Sequence, residues 1–361
     1  MTLSLLFWVL DSRQLEANTE SKILNEEDLL RVSEILRAHE SWCIFTHRNA
    51  DGDAVGSAAA LYSAGLALGK KIKWYSPDEN LPANFSYLEN FDKHITCNEF
   101  VFDQDAGEKN MLYIFLDCSA YDRSVKGFAP EKNFNALNID HHMNNGFYAR
   151  VNCVDSAASS ACEILFRIFK VGDWEITRGI SESLYTGIVT DTGGFSFSNT
   201  SPLTHKIAAE LISRGVAPAK ITNMISQNKT PEGLLLWARA MSRVKFFGPE
   251  NIFALTVLYA SDFQETGADA TATGGLANML LTIRGVKFIS IVTEYPNKEI
   301  DLNIRSREGS PFGAAEFAKL FGGGGHEKAA GATLKNIPIE KATEELENLI
   351  LKKYHERSCA D

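Results

Sequence analysis

The segment 111–116 reads Met-Leu-Tyr-Ile-Phe-Leu and is immediately followed by Asp117. Six apolar residues in a row, closed by a charge, fit a strand buried on both faces, as in the interior of a parallel sheet. A shorter apolar run at 43–45 repeats the pattern, and 72–75 and 136–139 also read as strands. Between and around them lie stretches of helical character. Residues 26–39 place Leu29, Leu30, Val32, Ile35 and Leu36 at helical spacing. Residues 54–68 are small, apolar and helix-prone, and Gly69 is a natural stop. Residues 158–170 and 178–189 also read as helices. Strands alternating with helices predict the α/β class, a parallel sheet with helices on both faces.

The rhythm changes near residues 199–202. From 202 to 243 the chain reads as helical, interrupted by Gly215, Pro218 and Pro231. A second α/β unit follows, with strands at 252–259, 288–293 and 300–304. Helices are expected at 275–283, 313–320 and 339–354. The expected organisation is two α/β domains: a parallel-sheet domain over 21–200, a helical linker over 201–246, and a smaller C-terminal α/β domain over 247–357. The first 20 residues read as a variable leader. Their apolar stretch 3–10 lacks a basic flank and meets Asp11, so it is a poor signal peptide and reads as a helix piece or a loose terminus.

A chain of 361 residues with 45% apolar content can build two cores, and that content excludes a disordered chain. No apolar run reaches the length of a membrane span, so no membrane partner is expected. The six cysteines, Cys43, Cys97, Cys118, Cys153, Cys162 and Cys359, form no CxxC pair. That argues against a disulfide framework or a cysteine zinc site and favours a reducing cytoplasm. The net charge of −10 argues against a broad grip on long duplex nucleic acid. It leaves room for small anionic substrates held by a local basic patch or by metal ions.

Acidic and histidine residues gather where a parallel sheet binds ligands, just outside the carboxyl ends of its strands. After run 43–45 come His47, Asp51 and Asp53 within seven residues, with Gly52 permitting a tight turn. Such a loop suits a metal, although Asp53 could equally cap the helix that follows. Asp117 ends the strand 111–116, where a carboxylate is costly unless paired or metal-bound, or is an ordinary turn residue. Asp140, His141 and His142 follow run 136–139. On a turn, one imidazole can ligate metal while the other serves substrate, with Asp140 orienting a ring. The alternative is a surface turn. Asp191 follows the helix 178–189, an unfavourable place for a negative charge unless a cation offsets it, or lies in a plain loop. Taken together, His47, Asp51, Asp53, Asp117, His141 and Asp191 are too many ligands for one tetrahedral zinc. They suit two divalent ions about 3.5–4 Å apart with a bridging carboxylate. The imidazoles favour manganese, with magnesium the second option. His39, His94, His205 and His355 sit in no such context and read as surface or core residues.

Near the C-terminus, Gly322, Gly323, Gly324, Gly325 and His326 precede Lys328. Successive glycines let backbone N–H groups approach an anion, and a flexible hinge is the competing reading. The run matches neither a Walker A loop nor a dinucleotide fingerprint. Upstream, Arg305 beside Ser306 at a predicted strand end can grip a phosphate bidentately, or lie exposed on the surface like Arg307.

In order and approximate spacing, His47-x-x-x-Asp51-x-Asp53, Asp117, Asp140-His141-His142 and Asp191 resemble the DHH phosphoesterase superfamily. The run Gly322–His326 is similar to the signature of its DHH-associated C-terminal domain. The resemblance spans roughly residues 25–355 and is nearest to the stand-alone NrnA-like group of nanoRNases and 3′-phosphoadenosine 5′-phosphate phosphatases. It implies a DHH metal-binding catalytic domain followed by a substrate-binding domain. One metal would be held by His47, Asp51 and Asp117, the other by Asp53, Asp117, His141 and Asp191. His142, oriented by Asp140, would meet the scissile phosphate or the leaving group. Arg305, Ser306, Gly323, Gly324, Gly325 and His326 would hold the far part of the substrate, the C-terminal domain folding over the active site. Ala50 stands where relatives often carry Pro, which alters loop stiffness and no ligand.

The implied activity is manganese-dependent hydrolysis of short oligoribonucleotides to 5′-mononucleotides, of 3′-phosphoadenosine 5′-phosphate to AMP, or of both. Short RNA or nucleotide bisphosphates would be the binding partners, and relatives often pair as homodimers. Alternatives on the same fold are a cyclic or linear dinucleotide phosphodiesterase and an exopolyphosphatase-like phosphatase. A non-catalytic nucleotide-binding protein would lack metal ligands, and all six are present.

Overall fold

A computed structural model describes residues 23–100, 111–128, 135–226, 229–325, 327–334 and 337–358. The expectations placed on residues 1–20 and on His326 therefore lie outside the described residues. The chain divides into two compact units, Met1–Asn228 and Lys229–Asp361.

The first unit carries strands β1 (Ser41–Phe45), β2 (Lys71–Ser76), β3 (His94–Thr96), β4 (Met111–Leu116), β5 (Ala136–Asp140) and β6 (Val151–Val154). Its helices are α1 (Glu26–Ala38), α2 (Gly52–Ala67), α3 (Ala161–Val171), α4 (Arg178–Asp191), α5 (Pro202–Ser213) and α6 (Pro218–Ser226). The sheet order is β3-β2-β1-β4-β5-β6 and every neighbouring pair is parallel. The alternation of side chains explains the continuous apolar runs. Trp42 and Ile44 of β1, with Leu112, Ile114 and Leu116 of β4, face the core shared with α1 to α4. Cys43, Phe45, Tyr113 and Phe115 point to the opposite face, into an aromatic cluster with Val125 and Phe128. The helix starts are written locally: Asn25 caps α1 in a capping box with Asp28, and Ser160 and Thr177 cap α3 and α4.

Strand order reverses on either side of the β1–β4 pair. The chain leaves β1 toward β2 and β3, then returns to β4 and proceeds to β5 and β6 on the other side. Such a switch point opens a crevice beyond the carboxyl ends of the two central strands. Residue 46 follows β1, and Asp117 follows β4.

The second unit holds β7 (Lys245–Phe247), β8 (Phe253–Leu258), β9 (Phe288–Glu294), β10 (Ile300–Ser306), β11 (Gly324–Gly325) and β12 (Ala329–Leu334) in the order β11-β12-β10-β9-β8-β7. Only β8 and β9 run parallel; the other pairs are antiparallel. Its helices are α7 (Pro231–Ser242), α8 (Ala260–Thr266), α9 (Leu276–Leu281), α10 (Ala314–Leu320) and α11 (Ile339–Ser358). Phe317 of α10 and Ala342, Leu346 and Ile350 of α11 cover one face of the sheet. Leu236 and Trp237 of α7, Phe263 of α8 and Leu276 and Leu280 of α9 cover the other. The helices of 201–246 are thus shared out: α5 and α6 belong to the first unit and α7 to the second. Among the described residues no helix is long and apolar enough to cross a membrane.

Candidate metal centre

His47 stands two residues past β1, in a loop whose backbone is tied down on both sides. Thr46 N donates to Tyr75 O at 3.2 Å and Arg48 N to Arg123 O at 2.7 Å. The His47 ring uses Nδ1 on the Arg48 carbonyl at 2.9 Å, which assigns the N–H to that nitrogen. Its Nε2 lies 3.4 Å from Asp117 Oδ2. Asp51 is the N-cap of α2, with Oδ1 accepting from Asp53 N at 3.1 Å and Ala54 N at 3.2 Å.

Asp53, the second residue of α2, is fully buried. Its two oxygens accept from the first amides of α3, Oδ2 from Ala161 N at 2.6 Å and Oδ1 from Cys162 N at 3.0 Å. A helix N-terminus, with its free N–H groups and partial positive charge, is a favourable seat for a buried carboxylate. Helix α4 closes over this contact. A Cβ on Gly187 would lie 2.6 Å from Asp53 Oδ1 and 2.3 Å from Cys162 Sγ, so only glycine lets α4 approach here.

Asp117 adopts φ +52°, the left-handed region that a side-chain-bearing residue enters at a cost of about 1 kcal/mol or more. Its amide donates to Ile139 O at 3.0 Å. The carboxylate is the hub of the site. Oδ1 stands 3.4 Å from His141 Nε2 and 3.5 Å from His142 Nδ1. Those separations exceed a good N–H···O bond, and this buried oxygen has no hydrogen-bond partner.

Asp140 closes β5 and is buried. Its Oδ1 accepts from His142 Nδ1 at 2.6 Å and its Oδ2 from Asn145 Nδ2 at 2.5 Å. Asn145 also donates to Asn138 Oδ1 at 2.7 Å, and Asn138 donates to the carbonyls of Phe115 and Cys118. This polar network runs beneath the site from the end of β4 to His142. Asp191 ends α4, with Oδ2 3.4 Å from His141 Nε2, while Asp53 Oδ2 is 4.0 Å from the same nitrogen. Asn199 Nδ2 donates to Asp191 O at 3.1 Å and Ser159 O at 3.0 Å, tying the end of α4 to the start of α3.

The structure therefore gathers His47, Asp51, Asp53, Asp117, His141 and Asp191 at one place, with Asp140 and His142 on its flank. Ligand atoms of His47, Asp51 and Asp117 lie within 4.8 Å of one another, as do those of Asp117, Asp140, His141 and His142. The electrostatics are those of crowded anions. Burial raises the Asp53 carboxyl, and Asp117 adds to it, to about 7. Burial and the neighbouring Asp53 and Asp117 push Asp191 well above the carboxylate range. Burial would also raise Asp117, but His141 and His47 beside it hold it well below that range. Burial disfavours the charged His47 ring, yet Asp117 and Asp51 lift it to about 9. His141 is likewise raised against burial, by Asp117 and Asp191. A buried carboxylate oxygen lacking a partner, inside a ring of carboxylates and imidazoles, fits divalent cations.

In the second unit, Arg305 lies on β10, its Nε 3.3 Å from Asn278 Oδ1 and its Nη1 on Ile304 O at 2.9 Å. The Ser306 hydroxyl is buried, donating to Glu327 O at 2.9 Å and accepting from Ala314 N at 3.3 Å. The glycine run is partly a packing device. A Cβ on Gly323 would stand 2.1 Å from Gly331 O, and Gly325 takes φ +140° against Ala329 and Ala330. Gly324 meets nothing within 4 Å.

Sequence reasoning missed Asn138, Asn145, Asn199 and Asp78. Asn138 carried a signal, since an amide in the middle of a buried apolar strand requires partners. The remaining histidines are ordinary: His39 is buried with Nδ1 on Ile35 O, and His205 is exposed and stacks on Phe195.

Comparison with known proteins bears on the family and the fold. Residues 41–188 match the DHH family, N-terminal domain, and residues 251–356 match the DHHA1 domain. A Thermus thermophilus protein described as "Bifunctional oligoribonuclease and PAP phosphatase NrnA" is 30% identical over 322 residues, covering 88% of this chain and 92% of the relative. A Mycoplasma genitalium protein of the same description is 26% identical over 299 residues, covering 81% and 88%. The crystal structure of an exopolyphosphatase-related protein from Bacteroides fragilis superposes with a TM-score of 0.79, covering 92% of this chain and 98% of the other. At 21% identity that likeness speaks for the fold alone. With both domains matched and a relative this similar along nearly its whole length, the chain belongs to the DHH family, as an NrnA-like protein with a DHHA1 domain.

Proposed function

We propose that this protein is a two-metal phosphoesterase that hydrolyses short oligoribonucleotides to 5′-mononucleotides, 3′-phosphoadenosine 5′-phosphate to AMP, or both. The observation that carries the proposal is the convergence on Asp117 of carboxylates and imidazoles from four separate chain segments at the switch point of a parallel sheet. The description of the Thermus thermophilus relative supports the choice of substrates.

His47, Asp51 and Asp117 would hold one cation. Asp53, Asp117, His141 and Asp191 would hold the other, with Asp117 shared. Bound there, two divalent cations, manganese in first place on the strength of the imidazoles, would supply positive charge for the phosphoryl oxygens and for lowering the pKa of a water. The protein's own groups set the geometry. Asp140 Oδ1 accepts a hydrogen bond from His142 Nδ1 at 2.6 Å and so fixes the ring, leaving Nε2 as the nitrogen to meet the phosphate or leaving oxygen. Asn145 holds Asp140 from behind. Arg305, Ser306, Gly323, Gly324, Gly325 and His326 would bind the far part of the substrate. The enzyme would act in the cytoplasm.

The test is hydrolysis with Mn²⁺ of diadenylate, a pentanucleotide, a long single strand, 3′-phosphoadenosine 5′-phosphate, a cyclic dinucleotide and pyrophosphate, compared by kcat/KM with the products identified. The expected result is preference for the shortest RNAs or for the bisphosphate, with 5′-mononucleotides as products. Preference for pyrophosphate, or no hydrolysis of any of them, would overturn the proposal.

A further inference from the structure

Between His47 and Asp51 the chain has three backbone N–H groups, and each has an assigned acceptor. Arg48 N reaches the Arg123 carbonyl. The other two go to one side chain. Asn49 N donates to Asp78 Oδ1 at 2.9 Å and Ala50 N donates to Asp78 Oδ2 at 2.8 Å. The two oxygens of Asp78 thus face backbone amides of the loop and not the side chains of the carboxylate and imidazole cluster. It is itself well anchored just past β2, its amide donating to Ser76 Oγ at 3.2 Å and its carbonyl accepting from Thr96 Oγ1 at 3.4 Å. The segment it clamps includes Asn49 at φ +58°, a left-handed turn of a kind that Asn adopts readily.

Charge-assisted bonds of this bidentate kind are among the stronger hydrogen bonds, and they fix position as well as energy. They act on one group of ligands only. His47 and Asp51 flank the clamped amides. Asp53 is seated on the first amides of α3, and Asp191 is placed at the end of α4, which Asn199 ties to Ser159.

We propose that Asp78 is a positioning residue for the cation site formed by His47 and Asp51, holding the loop that carries both ligands while leaving the site of His141 and Asp191 to other supports. The inference rests on the two-cation reading given above.

The experiment is a calorimetric titration of Mn²⁺ into the metal-free full-length protein, wild type, Asp78→Ala and Asp78→Asn, with the melting temperature of each metal-free protein. Removing an outer support of a metal ligand commonly weakens binding by about 10–100-fold. Wild type should take up two Mn²⁺. Asp78→Ala should lose about tenfold or more at one site and keep the other within about twofold. Asp78→Asn, which retains one carbonyl acceptor, should show a smaller loss at the same site. A folded Asp78→Ala protein with both sites weakened alike, or neither, overturns the assignment. If Asp78→Ala does not fold, Asp78→Asn decides it, and wild-type affinity at both its sites refutes the proposal. Wild type taking up fewer than two Mn²⁺ refutes the two-cation reading itself, and the role of Asp78 falls with it.

Discussion

Loading divalent cations into the Asp117 cluster must drive protons off it, and the number can be worked from the structure. In the cation-free protein burial opposes charge on the His47 ring, but Asp117 and Asp51 prevail and raise it to about 9. Burial first, then Asp117, raises the Asp53 carboxyl to about 7. At pH 7 such a ring carries about one proton in excess of its neutral form, and such a carboxyl about half a proton. The ring proton sits on Nε2, because Nδ1 already donates to the Arg48 carbonyl. Ligation requires a neutral imidazole and an ionised carboxylate. Cation uptake at pH 7 therefore releases at least about 1.5 protons, to which His141 and Asp191, both raised, add more. Going from pH 7 to pH 8 the two counted groups still hold about one proton between them, so Mn²⁺ binding should tighten by at least about tenfold. The assay is calorimetric titration at pH 7 in buffers of differing ionisation enthalpy, repeated at pH 8. The slope of heat against buffer ionisation enthalpy counts the protons. A slope of zero with an affinity unchanged by pH would refute the reasoning, because it would mean that the cluster is already stripped of protons and its anions are not in mutual conflict.

Asp117→Ala removes the carboxylate common to both proposed cation sets and should lower kcat by about 10³-fold or more, equivalent to about 4 kcal/mol of transition-state stabilisation; near-normal turnover would contradict the site. Asn145→Ala leaves Asp140 and Asn138 buried with a lost donor each, at a cost of about 1–3 kcal/mol per unsatisfied group. Chemical denaturation should show that loss, and an unchanged midpoint would deny the network its structural role. Arg305→Ala should raise KM several-fold with kcat less affected; a fall in kcat at constant KM would move Arg305 to the reaction itself.

The central sheet was legible because β1, β4 and β5 are buried on both faces, so β1 and β4 read as apolar runs and Asn138 alone interrupts β5 before its closing Asp140. β3 and β6 escaped notice for the opposite reason. They are short, and His94, Thr96 and Asn152 break their apolar character. The six candidate ligands could be found because each follows a recognisable strand or helix end. What supports them could not. Asp53 meets amides more than a hundred positions away, at Ala161 and Cys162. Asp78 meets Asn49 and Ala50 only because β2 lies beside β1. Partners of that kind come from tertiary packing, which leaves no local pattern. Gly323 and Gly325 show the converse: glycines that suggested an anion cradle are required in part by the close approach of Gly331 and Ala329.

The most direct measurement is anomalous diffraction from crystals of the full-length protein grown with Mn²⁺. Two peaks about 3.5–4 Å apart, both within bonding distance of the Asp117 carboxylate, are expected. One bears on His47 and Asp51, the other on Asp53, His141 and Asp191. A single peak, or peaks remote from Asp117, would contradict the two-cation centre.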